Sequence, residues 1–226
     1  MQSHKLSVEL PATYWLEKAS TPVYKNEHEG SGVQEQAASI IVLHGFGDRA
    51  DSARKRLLGP DAIPAWTIFS PNGLFPYPVD RGQGFKGAYA WYFRDLQSGS
   101  EMISPEFAAE SLLSLMDHLK ILDQKWTIVG FSQGGFFAPH LVRAGLKADR
   151  LICVGSGFRP DAYKGIALKK VSAIHGSDDP VISARHSKSD YEKLAALEIE
   201  GQFVEFPGLG HSMNDESRAL LRSWLS

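Results

Sequence analysis

The sequence predicts an α/β protein built on a mostly parallel, doubly wound sheet flanked by helices, and three observations predict it. Short apolar runs alternate with stretches of helical periodicity along most of the chain. Several of those runs are continuously apolar, as strands of a parallel sheet covered on both faces must be. A length of 226 residues, with 43% hydrophobic and 22% charged, is enough for one ordinary globular domain with a substantial core. Residues 1–226 are therefore read as a single domain. It carries an N-terminal strand and hairpin extension over residues 1–38 and a long loop on the substrate side over residues 71–103.

In order, Leu6–Leu10 reads as a first strand. Residues 19–38 are polar, with Pro22, Gly30, Gly32 and a run of Gln and Glu, and read as an exposed hairpin connection. Ser39–Leu43 and Trp66–Ser70 are strands on either side of a helix at Ala50–Leu58. Residues 71–103 hold Pro71, Pro76 and Pro78, several glycines, and the aromatics Phe75, Tyr77, Phe85, Tyr89, Trp91, Tyr92 and Phe93. An irregular stretch of that length inside a compact domain is usually functional. The helix Pro105–Leu122 opens with Ser104 as N-cap, Pro105 at the first position and Glu106 in the first turn. Its apolar residues Phe107, Leu112, Leu115, Met116 and Leu119 fall near helical spacing. Strands at Trp126–Gly130, Arg150–Gly155, Lys170–His175 and Gln202–Phe206 then alternate with helices at Gly134–Leu146, Ser183–Leu197 and Asp215–Leu225.

Composition removes several classes of function. A net charge of −2 offers no electrostatic footprint for nucleic acid or an anionic membrane. No window approaches the length of a membrane span, and Met1–Leu10 lacks the apolar stretch of a signal peptide. The expectation is a cytoplasmic protein with no stable membrane insertion and no nucleic-acid partner, with a homodimer left open. The lone Cys153 lies in Leu151–Val154 and reads as a buried small hydrophobe. Gly82–Gly87 fits G-x-G-x-x-G, but no strand precedes it and no helix follows, so no dinucleotide site is expected there. Neither a Walker A pattern nor a metal-ligand spacing of Cys and His occurs.

The chemistry is concentrated at Gly130-Phe131-Ser132-Gln133-Gly134, a G-x-S-x-G run where a strand turns into a helix. A serine in such a turn crowds its neighbours against adjacent backbone, which calls for glycine two positions away on each side. Serine needs a base within hydrogen-bond reach. His211, in the loop between the last strand and the last helix, lies at the carboxyl edge of the sheet, where open α/β sheets place their sites. The imidazole in turn needs an acid. Asp179, held extended by Pro180 after the penultimate strand, is the choice. Asp178 reads as solvated or turn-capping, and Asp161 is a weaker rival. The order Ser132, Asp179, His211 is the chain order of α/β-hydrolases. Donors for an oxyanion are assigned to the backbone N–H groups of Gln133 and of Phe46, the latter in the loop Leu43–Asp48. His44 and His175, each at a strand end before a glycine, read as structural. Leu74, Phe75, Trp91, Leu209 and Met213, together with the Phe46 side chain, are candidates for an apolar substrate wall.

The chain resembles the carboxylesterase/phospholipase family of α/β-hydrolases, the group that includes acyl-protein thioesterases and small bacterial carboxylesterases. The matching pieces are Leu43-His44-Gly45-Phe46-Gly47-Asp48, Pro71-Asn72-Gly73, Ala90-Trp91-Tyr92, Gly130–Gly135, His175–Val181 and Gly210-His211. They run from about residue 39 to the carboxyl terminus in the family's order. The resemblance implies an α/β-hydrolase fold without a large lid domain, with Ser132, Asp179 and His211 as triad and the N–H groups of Phe46 and Gln133 as oxyanion hole. It implies a cofactor-free serine hydrolase of short- to medium-chain carboxylic esters or thioesters. Alternative readings are a peptidase or plant-ester (feruloyl-type) esterase on the same triad, and a non-catalytic binding protein with the same fold. Phe136-Phe137 departs from the smaller residues usual after the elbow, and the aromatic stretch 81–93 departs in length.

Overall fold

The computed structural model describes residues 13–18, 38–60, 66–80, 82, 84–95 and 97–225. The expected strand Leu6–Leu10 and nearly all of residues 19–38 lie outside the described residues. In chain order the first strands are β1 (Tyr14–Glu17), β2 (Ala38–Leu43) and β3 (Trp66–Pro71). Six short ones follow: β4 (Phe75–Pro76), β5 (Val79–Asp80), β6 (Phe85–Lys86), β7 (Tyr89–Ala90), β8 (Phe93–Arg94) and β9 (Glu101–Ile103). The last are β10 (Trp126–Phe131), β11 (Ala148–Val154), β12 (Lys170–Gly176) and β13 (Phe203–Phe206). The helices are α1 (Ala50–Leu58), α2 (Pro105–His118), α3 (Gln133–Arg143), α4 (Pro160–Tyr163), α5 (Ala184–Glu192) and α6 (Asp215–Leu225).

Seven strands form the main sheet in the order β1-β3-β2-β10-β11-β12-β13. All pairs are parallel except β1 with β3. This is the doubly wound architecture that the alternation of strands and helices predicts. Side-chain alternation divides each central strand between two cores. Ile41, Leu43, Trp126, Ile128, Leu151, Cys153, Val171 and Ala173 face α2 and α3. Ile40, Val42, Val129, Phe131, Ile152, Val154 and Ile174 face α1 and α6, where Leu57 and Leu221 complete the second core.

Helix ends follow local chemistry more than apolar periodicity. The Ser104 side chain caps α2 by accepting from the Glu106 N–H, with Pro105 at the first position. The helix stops at His118, four residues short of the expected Leu122, because Lys120 takes a left-handed conformation. The predicted helix over 183–197 divides into α5 and a 3₁₀ segment, Lys193–Leu197, closed by left-handed Glu198. The single turn α4 was not expected from sequence. Residues 71–103 are not one irregular loop, since they fold into three antiparallel ribbons, β4–β7, β5–β6 and β8–β9.

α3 forms against its own propensity. Its eleven residues include Gly134, Gly135 and Pro139, the residue types least favourable inside a helix. Close approach explains the glycines: a Cβ at Gly134 would stand 2.4 Å from the Leu43 carbonyl oxygen. Burial of Phe137, Ala138, Leu141 and Val142 then holds the helix in place. Phe137, a departure from the small residues usual after the elbow, stacks on Trp91 with ring centroids 4.7 Å apart and planes inclined by 11°. Trp91 continues the stack onto His44 at 4.8 Å. Phe137→Ala should therefore cost about 3–5 kcal/mol of unfolding free energy, read from urea denaturation, because it empties a site that is fully enclosed. A loss below about 1 kcal/mol would contradict the role given to this stack.

Candidate active site

Ser132 joins the end of β10 to the first residue of α3 with φ 50° and ψ −117°. For a residue with a Cβ that conformation costs about 1–3 kcal/mol and persists only where surroundings over-determine it. They do so here. The Ser132 N–H donates to the Val154 carbonyl at 2.9 Å, and its own carbonyl accepts from the Ser156 hydroxyl at 2.9 Å. The Gln133 N–H that follows is the first of the helix's amino-terminal donors without an intrahelical acceptor.

Asp179 comes from the loop after β12 and is completely covered. Its Oδ1 accepts from the N–H groups of Val181 (2.8 Å) and Ile182 (2.9 Å), and its Oδ2 lies 2.7 Å from His211 Nδ1. Burial alone would raise the Asp179 pKa. The Ile182 N–H, the His211 ring and the Val181 N–H outweigh it and hold the carboxyl below the ordinary aspartate value. A carboxylate facing Nδ1 fixes the proton there, leaving Nε2 of His211 with a free lone pair. His175, also enclosed, places Nε2 2.9 Å from the Ile182 carbonyl and 3.4 Å from Asp179 Oδ2. The Asp179 and His211 loops are stitched together. Asp178 N–H donates to the Leu209 carbonyl at 3.0 Å, and Gly208 N–H to the Ser177 hydroxyl at 2.8 Å. The rivals lie elsewhere: Asp178 is exposed and accepts from Ser177, and Asp161 is exposed and pairs with Lys164.

Ser132 and His211 open onto one cavity of about 230 Å³, lined also by Gly45, Phe46, Gly47, Asp48, Arg56 and Phe131. The Phe131 ring packs on His211 at 4.9 Å. The loop 44–48 that forms one wall is held by His44. Its Nε2 accepts from the Gly73 N–H at 2.7 Å, so Nδ1 carries the proton and donates to the Gly45 carbonyl at 2.7 Å. Burial pushes the His44 pKa down from 6.5 to about 4, which keeps this bridge neutral. The Trp91 indole N–H donates to the His44 carbonyl at 2.8 Å.

Of the apolar substrate wall expected from sequence, Phe46 lines this cavity, while Leu74, Phe75, Trp91, Leu209 and Met213 are not among the described residues that do. Trp91 is a correction: only 1% exposed, it is spent on the stack between His44 and Phe137. Leu74 and Phe75 rest on the first core, and Met213 on the second. Leu209 is half-buried and contributes its carbonyl to the loop stitching. An accessible apolar ledge runs from Phe46, 47% exposed, across Tyr77 and Phe93 to Phe75 and Phe107. Two features escaped the sequence reading. The Gln133 side chain clasps the aromatic segment, accepting from the Trp91 N–H at 3.1 Å and donating to the Tyr92 carbonyl at 2.8 Å. Arg56, from α1, reaches the nucleophile's cavity, a placement that no sequence spacing to residue 132 announces. Among the described residues no helix is long and apolar enough to cross a membrane.

A mostly parallel sheet with a strained serine at a strand-to-helix turn, and an Asp–His pair from later loops of the same edge, defines the α/β-hydrolase class. Within it, the model of the Phospholipase/Carboxylesterase family matches residues 28–226, and the chain belongs to that family. It is 26% identical to the acyl-protein thioesterase 1 homolog 1 of Dictyostelium discoideum, over 90% of this chain and 96% of that protein. Among solved structures, it is similar in fold to the acyl-protein thioesterase 2 of Zea mays. There the TM-score is 0.67 and the identity 17%, over 94% of this chain and 97% of that one. The esterase PE8 gives a TM-score of 0.63 at 23% identity, over 85% of this chain and 93% of that one. Family membership and these relatives make the protein a hydrolase of the esterase and thioesterase group.

Two outcomes test the site's construction. A Cβ at Gly176 would stand 2.0 Å from the Leu209 carbonyl oxygen, so Gly176→Ala must force the Asp179 and His211 loops apart. Hydrolysis of an activated ester should fall by about 10² or more, a typical result of misplacing reacting groups by 1 Å. The His44 pKa is depressed in the folded state, so its contribution to stability is whole above pH 6.5. It declines by about 3 kcal/mol as pH falls toward 4. Urea unfolding at pH 7 and 4.5 reads that decline, and ¹⁵N spectra should show the neutral Nδ1–H tautomer at pH 5. A charged His44 ring at pH 5.5 would contradict the bridge.

Proposed function

We propose that the protein is a serine hydrolase of short- to medium-chain carboxylic esters or thioesters, working through an acyl-enzyme. The observation that carries the reading is the 2.7 Å contact of His211 Nδ1 with buried Asp179, which leaves Nε2 free beside the cavity shared with Ser132. In this reading Nε2 takes the Ser132 hydroxyl proton as Oγ attacks the acyl carbonyl. Negative charge then develops on the carbonyl oxygen. The N–H groups of Phe46, in the loop after β2, and of Gln133, at the amino-terminal end of α3, are the donors for it, each worth about 10²–10³ in rate. Asp179 stays ionised, fixing the tautomer and stabilising the imidazolium. His211 next gives its proton to the departing alcohol or thiol. It then takes one from water, which attacks the acyl carbon and releases the acid with Ser132 restored.

The aromatic ledge from Phe46 to Phe107 supports an apolar acyl or alcohol group, since it offers exposed rings next to the proposed oxyanion donor. Ser132→Ala should lower kcat on a p-nitrophenyl ester by about 10⁴–10⁶, in line with knockouts of other triads. A fluorophosphonate probe should form an adduct on Ser132 in the native protein. Near-normal turnover by the alanine variant would overturn the assignment.

A further inference from the structure

Charge is distributed unevenly around the nucleophile. The chain as a whole is slightly acidic, at −2, yet the cavity that Ser132 and His211 share is also lined by Arg56, in an ion pair with Asp48. A second cavity of about 320 Å³ shares Gly47, Asp48 and Arg56 with the first and continues along Arg49, Ser52, Val79, Lys86, Gly87 and Ala88. Besides His211, the ionisable residues among the described ones lining the two are Arg49, Arg56, Lys86 and one acid, Asp48; Arg49 also meets the exposed Asp51 at 3.4 Å. Asp48 is also the more covered member of its pair. Arg56 Nη1 donates to its Oδ2 at 2.7 Å, but the Asp48 side chain is 11% exposed and that of Arg56 33%. Both residues line the cavities, and the cation is the more exposed of the two.

Arg56 is also held for recognition. Its guanidinium carbon sits 5.0 Å over the Phe131 ring, the residue before the nucleophile, and its stem rises from the last turn of α1. Of its five N–H donors, set along the edges of a planar fork, one is taken up by Asp48. The remaining edge suits two-point contact with a planar or tetrahedral oxyanion. An arginine serving only to neutralise Asp48 would not need to share a cavity with Ser132 and His211.

We propose that this groove is a subsite for a compact oxyanion, carboxylate or phosphate, carried by the substrate, with Arg56 as its principal contact and Lys86 extending the positive field. The proposal rests on the hydrolase reading above and names a substrate class within it: esters or thioesters whose acyl or alcohol half bears an anion.

The test compares matched substrates that differ only in charge. One series holds butanoate esters of 3-hydroxybenzoate, 3-hydroxyphenyl phosphate and neutral 3-hydroxybenzamide. The other holds phenyl esters of 3-carboxybenzoate and neutral 3-carbamoylbenzoate. In at least one series the anionic ester should show a kcat/KM about tenfold or more above its neutral partner, as a charge-assisted contact provides. That ratio should fall toward 1 in Arg56→Gln, fall about two- to threefold in Lys86→Gln, rise in Asp48→Asn, and shrink in 0.5 M salt, about a 4 Å screening length. The carboxylate and phosphate arms separate the two oxyanions. Should Arg56→Gln fail to fold, the Lys86 variant and the salt series carry the decision. A ratio at or below 1 in both series, or one indifferent to Arg56→Gln or to Lys86→Gln and salt, overturns the subsite while leaving the hydrolase reading intact. If no ester is turned over, the hydrolase reading fails. The subsite is then decided by calorimetry: 3-hydroxybenzoate binding that 3-hydroxybenzamide and the Arg56 variant lack supports it, and no such binding overturns it.

Discussion

The structure depends on one constraint, the left-handed backbone at Ser132 where β10 passes into α3. A turn that tight brings the start of α3 against the end of β2, close enough that Gly134 would meet the Leu43 carbonyl with any side chain. The contact determines where the loop after β2 can go, and hence where Phe46 and Arg56 stand relative to the serine. The strain is held by the bonds of Ser132 to Val154, at the end of the neighbouring strand, and to Ser156 just beyond it, and by a helix whose buried face compensates for two glycines and a proline. Local propensity loses to packing at that helix, and the functional geometry depends on the loss.

Three histidines at the same sheet edge occupy three environments. His44 is neutral and shared between two backbone groups, so it acts as a bracket for loop 44–48. His175 is enclosed and donates toward the Ile182 carbonyl beside Asp179. Of the three, His211 alone has a carboxylate at 2.7 Å from one nitrogen and lines the cavity that Ser132 shares. Residue type does not separate them. Surroundings do: His44 is bonded at both nitrogens and has no lone pair left to accept a proton, whereas His175, partnered only at Nε2, is enclosed and His211 lines the cavity.

The same edge sets apolar and charged surfaces side by side. Phe46 stands at their junction, leading the exposed aromatic ledge on one side and lining the groove with Arg56 on the other. The Asp48–Arg56 pair ties the helix α1 to this arrangement, and the Arg56 carbonyl receives Arg218 from α6, so both helices of that face brace it.

The sequence by itself determined six of the sheet's seven strands, all but β1, together with the two-sided core and the chain order of Ser132, Asp179 and His211. These follow from local signals: apolar runs, the G-x-S-x-G spacing, and the positions of Asp179 and His211 just past strand ends. It also separated Asp179 from Asp178, since the proline after residue 179 acts on its neighbour alone. Tertiary structure decided the rest. Trp91 looked like a substrate contact, but a large aromatic in an aromatic-rich stretch carries no mark of whether a Phe137 and a His44 will enclose it. The ribbons within 71–103 are strands of two or three residues, too short for periodicity to register. Arg56 lies 76 positions before the serine on the exposed-looking face of a charged helix, and the cavity they share exists only once β2, β10 and α1 are packed. Motif residues are legible because their chemistry demands a local geometry. The groups that choose a substrate are brought together by packing at long sequence separation, and no local pattern encodes that meeting.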